Sequence, residues 1–403
     1  AAPAPVAAEP PVAVASAGPA PAAGPARPRA TKAEPGTARL VVNRLLSLPG
    51  AAKEVREFVL DTGGTGVPLD YEAGDAFGVL PTNAEDLVRE WLDVTGFDPL
   101  EVVEVAGVGG VPVREALAHH LEISRTTPDL LRFVAERADS RELKGLLRPD
   151  NRGELAKWAW GRQAVDVVAE HPVEATAKEL LAVLKRLQPR QYSISSSPLA
   201  DPERIRLTVS VLRYENPAGR RRTGVCSAYL ADAPQGAPVL GFVQRSAHFR
   251  PPAEATTPAV MIGPGTGIAP FLGFLQDRRA RGHHGRNWLF FGEQHRASDF
   301  YYRDELDELF RDGTLTRLDT AFSRDQRRKV YVQDRMREHG RQLWAWLRDG
   351  AHVYVCGDAG RMAKDVDAAL REVVRVHGGL DEDAAAAFVA QLAKDRRYVR
   401  DVY

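Results

Sequence analysis

The sequence predicts two folded modules in tandem: an antiparallel β-barrel interrupted by a helical insertion, then an α/β domain built on a parallel sheet. Three observations carry this. Short apolar segments broken by Gly and Pro occupy residues 39–80 and resume at 192–243. Between them, residues 82–187 repeat apolar side chains at helical spacing. From Thr257 onward, apolar strands alternate with helical or loop stretches. At 403 residues the chain exceeds the usual single domain, so more than one core is expected.

Residues 1–36 are mostly Ala and Pro with scattered Val and Gly, a composition too poor in buriable surface to fold, and read as a disordered, semi-rigid linker. The chain opens on Ala rather than Met, so the linker suggests the C-terminal part of a longer protein. RLVVNRLL, VREFVLD and AFGVLP read as antiparallel strands, too few to close a barrel alone. AEDLVREWLDVTG, VREALAHHLEIS, PDLLRFVAERA and TAKELLAVLKRL then read as helices. Strands resume at 192–195, 204–214 and 238–243, which makes residues 37–255 one barrel domain with an insertion at about 82–187. In residues 256–403, AVMIG, NWLFFG, LTRLDTAF and HVYVCGD form the alternating series of a parallel sheet covered on both faces. Ligands bind such sheets at the carboxyl ends of the strands, where the turn after Ile262, Gly292, Ser323 and Cys356-Gly357-Asp358 converge.

Composition excludes several classes. Lys plus Arg equals Asp plus Glu at 54 each, so the net charge favours neither nucleic acid nor an acidic membrane surface, and any anion site is local. The two cysteines, Cys226 and Cys356, lie far apart without metal-ligand spacing, which fits a reducing compartment and predicts no metal site. His119 and His120 read as surface or packing residues. No apolar run approaches about 18 residues and no signal peptide is legible, so a cytoplasmic protein without membrane or nucleic-acid partners is expected.

The run AVMIGPGTGIAPF, residues 259–271, takes an apolar strand into a glycine-rich turn and then a helix. Gly263, Gly265 and Gly267 permit a tight turn and close approach of a ligand, and Pro270 suits the first helical turn, whose free N–H groups attract anions. It is not the GxGxxG fingerprint, and on the glycines alone a phosphate cradle and an ordinary connection stand even. Arg190-Gln191-Tyr192-Ser193 puts a cation, an aromatic face and a hydroxyl at the start of a strand. A guanidinium can fork onto a diphosphate and a phenol ring can stack on a flat heterocycle, although a half-exposed strand looks the same. At Gly224-Val225-Cys226-Ser227 a small-residue turn enters a helix, a second candidate phosphate site.

RQYSISSSP, GVCSAYL, MIGPGTGIAPF, SRDQRRKVYVQ, VYVCGD and the final RYVRDVY, in this order and spacing, resemble the FAD- and NADPH-binding half of the diflavin reductases over residues 37–403. The helical block corresponds to that family's connecting domain, and the implied architecture is ferredoxin-NADP reductase-like. Within the family, the ending DVY and the run from Ser323 to Val366 look most like the flavoprotein subunit of NADPH-dependent sulfite reductase; cytochrome-reducing relatives usually carry Trp where this chain has Tyr403.

The resemblance implies roles by position. Arg190, Gln191, Tyr192 and Ser193 would bind FAD, completed by Thr208, Val209 and Ser210, by Tyr214, and by Gly224, Val225, Cys226 and Ser227. Tyr192 would lie on one flavin face and Tyr403 on the other, where nicotinamide must enter. Ser193, Cys356 and Asp401 resemble the catalytic trio around the flavin N5 and the nicotinamide C4. Gly265, Thr266 and Gly267 would hold the NADPH diphosphate. Ser323, Arg324, Lys329, Val330, Tyr331, Val332 and Gln333 lie just beyond a strand; a cation pair with hydroxyls suits an adenosine 2′-phosphate, where NAD sites tend to carry an acid. Asp365 and Arg44 are weaker carry-overs.

The expectation is an NADPH-dependent flavoprotein reductase that passes electrons singly to a second carrier. FMN is expected only on a flavodoxin-type domain or subunit outside this chain, with sulfite reduction as the main reading. Fusion to an assimilatory nitrate reductase, a stand-alone ferredoxin- or flavodoxin-NADP reductase and a non-catalytic nucleotide-binding module are the alternatives.

Overall fold

The computed structural model describes residues 30–63 and 70–403. Most of the expected linker, residues 1–29, lies outside the described residues. Ala30 already packs against the first core at 8% exposure, and Lys32 bonds Gln188.

The first module is built from β1 (Gly36–Leu45), β2 (Glu54–Asp61), β3 (Ala76–Val79), β4 (Val102–Val105), β5 (Gly109–Pro112), β6 (Arg190–Ser193), β7 (Arg204–Val211), β8 (Arg213–Glu215), β9 (Arg221–Thr223) and β10 (Pro238–Gln244). Six of them form one antiparallel sheet in the order β6-β3-β10-β1-β2-β7, and a bridge between Ile194 and Leu207 joins its two edges. The barrel interior follows from the period of two. On β7, Ile205, Leu207, Val209 and Val211 are buried, and Arg206, Thr208 and Ser210 alternate with them.

The insertion packs helices Glu85–Thr95, Pro128–Arg137 and Ala164–Glu170 around Val88, Trp91, Leu130, Val134 and Val167. It departs from the all-helical expectation at one place, where β4 and β5 pair as an antiparallel hairpin. Valines disfavour helix there, and Gly107 and Gly109 adopt φ of 72° and 104° to turn the chain. Arg222 of β9, 6% exposed, ties the insertion to the barrel by donating to Asp166 at 3.1 Å and to Glu90 at 2.7 Å.

The second module carries β11 (Ala259–Ile262), β12 (Asn287–Glu293), β13 (Arg317–Phe322), β14 (His352–Gly357) and β15 (Tyr398–Val402) in one parallel sheet, order β13-β12-β11-β14-β15. The expected alternation holds, and β15 adds an edge strand that the sequence pattern did not reveal. Apolar layers cover both faces, one around Ile262, Phe290 and Trp346, the other around Met261, Phe271 and Phe291. Arg206 joins the modules, bonding both Glu305 carboxylate oxygens at 2.8 and 2.9 Å, and Thr208 shares a 2.8 Å hydrogen bond with Tyr302. No helix among the described residues is long and apolar enough to cross a membrane.

Candidate active site

The strand ends converge as expected on a crevice between the modules. Its larger part, about 650 Å³, is lined by Gly265, Gly292, Ser323, Arg324, Lys329 and Arg361 together with Tyr331, Val332, Gln333 and Asp365. The smaller part, about 300 Å³, is lined by Val55 and Ser210 of the barrel and by Thr266, Gly357 and Tyr403. Lys53, Pro264, Gly265, Glu293 and Asp358 line both.

The glycine turn is a short 3₁₀ segment, Gly265–Ile268, running into the helix Ala269–Ala280 with Pro270 in its first turn. Gly265 takes φ of 60°, which favours glycine. A Cβ on Gly267 would sit 2.2 Å from the Cys356 carbonyl oxygen, so only glycine brings the turn against the end of β14. The resulting cradle is open and rimmed by main-chain N–H groups, which suits a diphosphate.

Beyond β13, Ser323 and Arg324 fix the next loop by donating their N–H groups to Glu293 and Gln294 carbonyls, both at 2.8 Å. Most arginines of this protein are ion-paired, yet Arg324 and Lys329 form no ion pair among the described residues. Unpaired cations gathered on one cavity wall are suited to a phosphate. Gln333 donates to Asp365 at 3.2 Å, and Val330 does not line the cavity.

On the barrel side, Arg190 donates to Glu122 at 2.6 Å and to the Gln188 carbonyl at 2.7 Å. Gln191 is exposed. Burial pushes the Tyr192 hydroxyl far above the phenol range, with the neighbouring Cys226 adding to it, and burial raises the Cys226 thiol to about 12. Gly224 is the N-cap of the helix Val225–Asp232, with no side-chain cap, and a Cβ there would meet Ser227 Oγ at 2.7 Å. Ser227 Oγ accepts the Leu212 N–H at 3.2 Å. Tyr214 lies on β8 opposite Arg222, and its hydroxyl is raised by burial.

Two of the sequence-selected residues point elsewhere. Thr208 turns its hydroxyl to Tyr302, and Val209 sits in the barrel core at 2% exposure. Outward and inward alternation on β7 leaves these two only their main chain for a ligand, whereas Ser210 reaches the smaller cavity. Arg44 lines neither cavity and pairs with Glu57 at 3.0 Å.

The three residues chosen as catalytic come together across the seam. Ser193 Oγ donates to Asp401 Oδ2 at 3.2 Å, and Cys356 and Asp401 are partners in the β14–β15 register. Burial pushes the fully buried Cys356 thiol well above its ordinary value, and the Asp401 charge pushes it further. Tyr403 is fixed by its main chain, with its N–H on the Gly357 carbonyl at 3.1 Å and its carbonyl accepting from Ala359 at 3.0 Å. Its hydroxyl meets Thr266 Oγ1 at 3.1 Å, so it lies across the glycine turn, and the residue as a whole is 65% exposed. Desolvation, with Cys356 adding to it, raises its hydroxyl pKa to about 12.

The barrel-side residues fit a flavin dinucleotide: a cation at Arg190, an aromatic ring at Tyr192, and a glycine-started helix with no side-chain cap, where a Cβ would be crowded. No sequence motif marks Lys53, Glu293 or Arg361 for a role in the crevice; Lys53 and Glu293 form a 2.7 Å ion pair between the modules.

An FAD binding domain model matches residues 28–229, and an oxidoreductase NAD-binding domain model matches residues 261–368. Curated relatives include sulfite reductase (NADPH) flavoprotein alpha-components. That of Photorhabdus laumondii is 43% identical over 374 residues, 93% of this chain and 61% of its own length. That of Mannheimia succiniciproducens is also 43% identical, covering 93% and 62%. That of Bacillus subtilis is 40% identical over 393 residues, 96% and 64%. The chain thus spans about three fifths of the length of the relatives it matches.

Proposed function

The chain belongs to the FAD-binding-domain family of flavoproteins, and on that premise we propose that it is an NADPH-dependent reductase module serving sulfite reduction. The observation that carries this reading is one crevice lined by the unpaired Arg324 and Lys329 at one end and by Gly357 and Tyr403 at the other, next in the chain to the Cys356–Asp401 strand pair that Ser193 joins. Bound FAD would supply the redox chemistry, accepting hydride from NADPH and passing its electrons on singly.

The protein's own residues bind, orient and exclude. Arg324, Lys329 and Ser323 hold the 2′-phosphate, and Tyr331, 43% exposed, offers its ring to the adenine. The diphosphate lies on the Gly265–Gly267 turn with Lys53 facing it from the barrel. Arg190 and the first turn after Gly224 hold the flavin diphosphate, and Tyr192 supports one ring face. Asp401 places its carboxylate where the nicotinamide becomes cationic on oxidation, and Ser193 fixes it by donating a proton to Oδ2. The Cys356 thiol, held protonated by burial, packs beside them without adding charge. Tyr403 covers the nicotinamide position and swings aside for the substrate, breaking its bond to Thr266.

The acceptor is an FMN-bearing or other one-electron carrier on a domain or subunit outside this chain, consistent with relatives that are longer by about two fifths of their length. Two buried free thiols fit a cytoplasmic setting. The test is electron delivery: the FAD-reconstituted chain should carry electrons from NADPH to ferricyanide, and to an FMN-loaded flavodoxin-type protein added in trans. Flavin-loaded protein that reduces neither overturns the reading.

A further inference from the structure

β12 ends in the crevice on an acid. Glu293 closes a strand in which every residue is buried, and its side chain is only 4% exposed. One carboxylate oxygen is 2.7 Å from Lys53 Nζ, and the other accepts the N–H of Gln294 at 2.8 Å. The same carboxylate abuts the glycine turn, since Oε1 lies 3.3 Å from where a Cβ on Gly265 would stand. It lines both parts of the crevice.

The charges around it are unbalanced. In the smaller cavity Lys53 is the one cation among the described lining residues, set against Glu293 and Asp358. Asp358 is committed to capping a helix, accepting from the N–H groups of Gly360, Arg361 and Met362. A buried carboxylate requires a partner, and Glu293 draws its partner from the other module. A diphosphate on the turn therefore meets a cation already neutralised and an acid of its own sign.

We propose that Glu293 is an internal counter-ion for Lys53 set against the glycine turn, and that NADPH must take Lys53 from it in order to bind. The inference rests on the crevice being the NADPH site. Glu293 keeps Lys53 aimed at the turn when no nucleotide is present, and repels the diphosphate when one arrives. Both effects weaken nucleotide binding, chiefly by hastening dissociation, so Glu293 limits how long NADP⁺ stays after the reaction. It acts through Lys53 and is a positioning residue rather than a catalytic one.

The FAD-loaded chain provides the test, with NADP⁺ and adenosine 2′-monophosphate as probes; the second carries the 2′-phosphate but no diphosphate. In E293Q, which keeps the shape and the acceptor oxygen, the NADP⁺ Kd falls about tenfold, through a slower dissociation rate, while the Kd of adenosine 2′-monophosphate changes less than about twofold. E293D withdraws the carboxylate by one methylene and tightens NADP⁺ about two- to threefold, which keeps the question answerable if the glutamine variant does not fold. NADP⁺ binding that is unchanged or weaker in a folded variant overturns the inference, as does an equal gain for both probes. Wild-type protein that binds neither probe overturns the crevice assignment, and the inference with it.

Discussion

Ser193, on a barrel strand, and Asp401, on the last strand of the parallel sheet, meet across the module boundary at 3.2 Å. Neither module contains the site alone, because Cys356 joins the pair only through the register of β14 with β15. The Arg206–Glu305 bonds also cross the boundary between the two modules.

Asp401→Asn retains shape but removes the charge facing the nicotinamide. The rate of flavin reduction by NADPH should fall about 10²-fold while NADPH binding changes little, and Ser193→Ala should cost about tenfold through a less fixed carboxylate. Rapid-mixing kinetics on both variants read this out. A loss confined to nucleotide affinity would place Asp401 outside the reacting centre.

The proposed function gives the Arg324 and Lys329 side chains only the 2′-phosphate to hold. Replacing both with Ala should raise the Kd of NADPH by about 100-fold or more and leave that of NADH within about threefold. Equal losses for the two nucleotides in titrations would contradict the assignment.

Tyr403 is held by two main-chain bonds and one hydroxyl bond, so its ring can leave while the strand remains. Tyr403→Ala should open the nicotinamide position and improve the use of NADH relative to NADPH by about tenfold, and Thr266→Ala should move the same ratio by a smaller amount. A ratio unaltered in Tyr403→Ala would show that the ring does not control entry.

The Arg222 network predicts both stability and its pH dependence. Burial alone would raise the Asp166 carboxyl, but Arg222, the Gln163 N–H and Asn216 outweigh it and hold the group below its ordinary value. A carboxyl depressed in the folded state contributes fully above its unfolded pKa, about 3.9, and its contribution is lost as pH falls through the folded value. Arg222→Met should therefore cost about 3 kcal/mol at neutral pH by stranding Asp166, and flatten the fall in stability between about pH 5 and pH 2. It should also weaken FAD binding, because Arg222 faces Tyr214 on the β8–β9 hairpin. Denaturant unfolding at several pH values checks this; an unchanged acid slope would count against it.

The barrel, the insertion and the parallel sheet were legible because their apolar periods, two and about 3.6, are local properties of the chain. The β4–β5 hairpin was hidden because a valine run beside helical segments fits either period. β15 was hidden because five residues with charges at Arg400 and Asp401 look like a chain end rather than a strand. The RQYS, GVCS and glycine-turn residues fell where their motifs placed them, since each motif carries its own backbone geometry. Lys53 and Glu293 were not legible as a pair: they lie 240 positions apart, and only tertiary folding makes them neighbours. Arg44, a weaker carry-over, lies on β1 facing Glu57 of β2 and lines neither cavity. An acid ending an otherwise apolar strand, as in FFGE, was the available signal for Glu293.

The most direct measurement is anaerobic rapid mixing of the FAD-reconstituted chain with NADPH and, separately, with NADH. An NADPH-specific FAD reductase should bind one FAD per chain, lose the oxidised-flavin absorbance on mixing with NADPH, and react with NADH at a second-order rate at least about 100-fold lower. A chain that binds no FAD, or a bound flavin that NADPH leaves oxidised, would contradict that function.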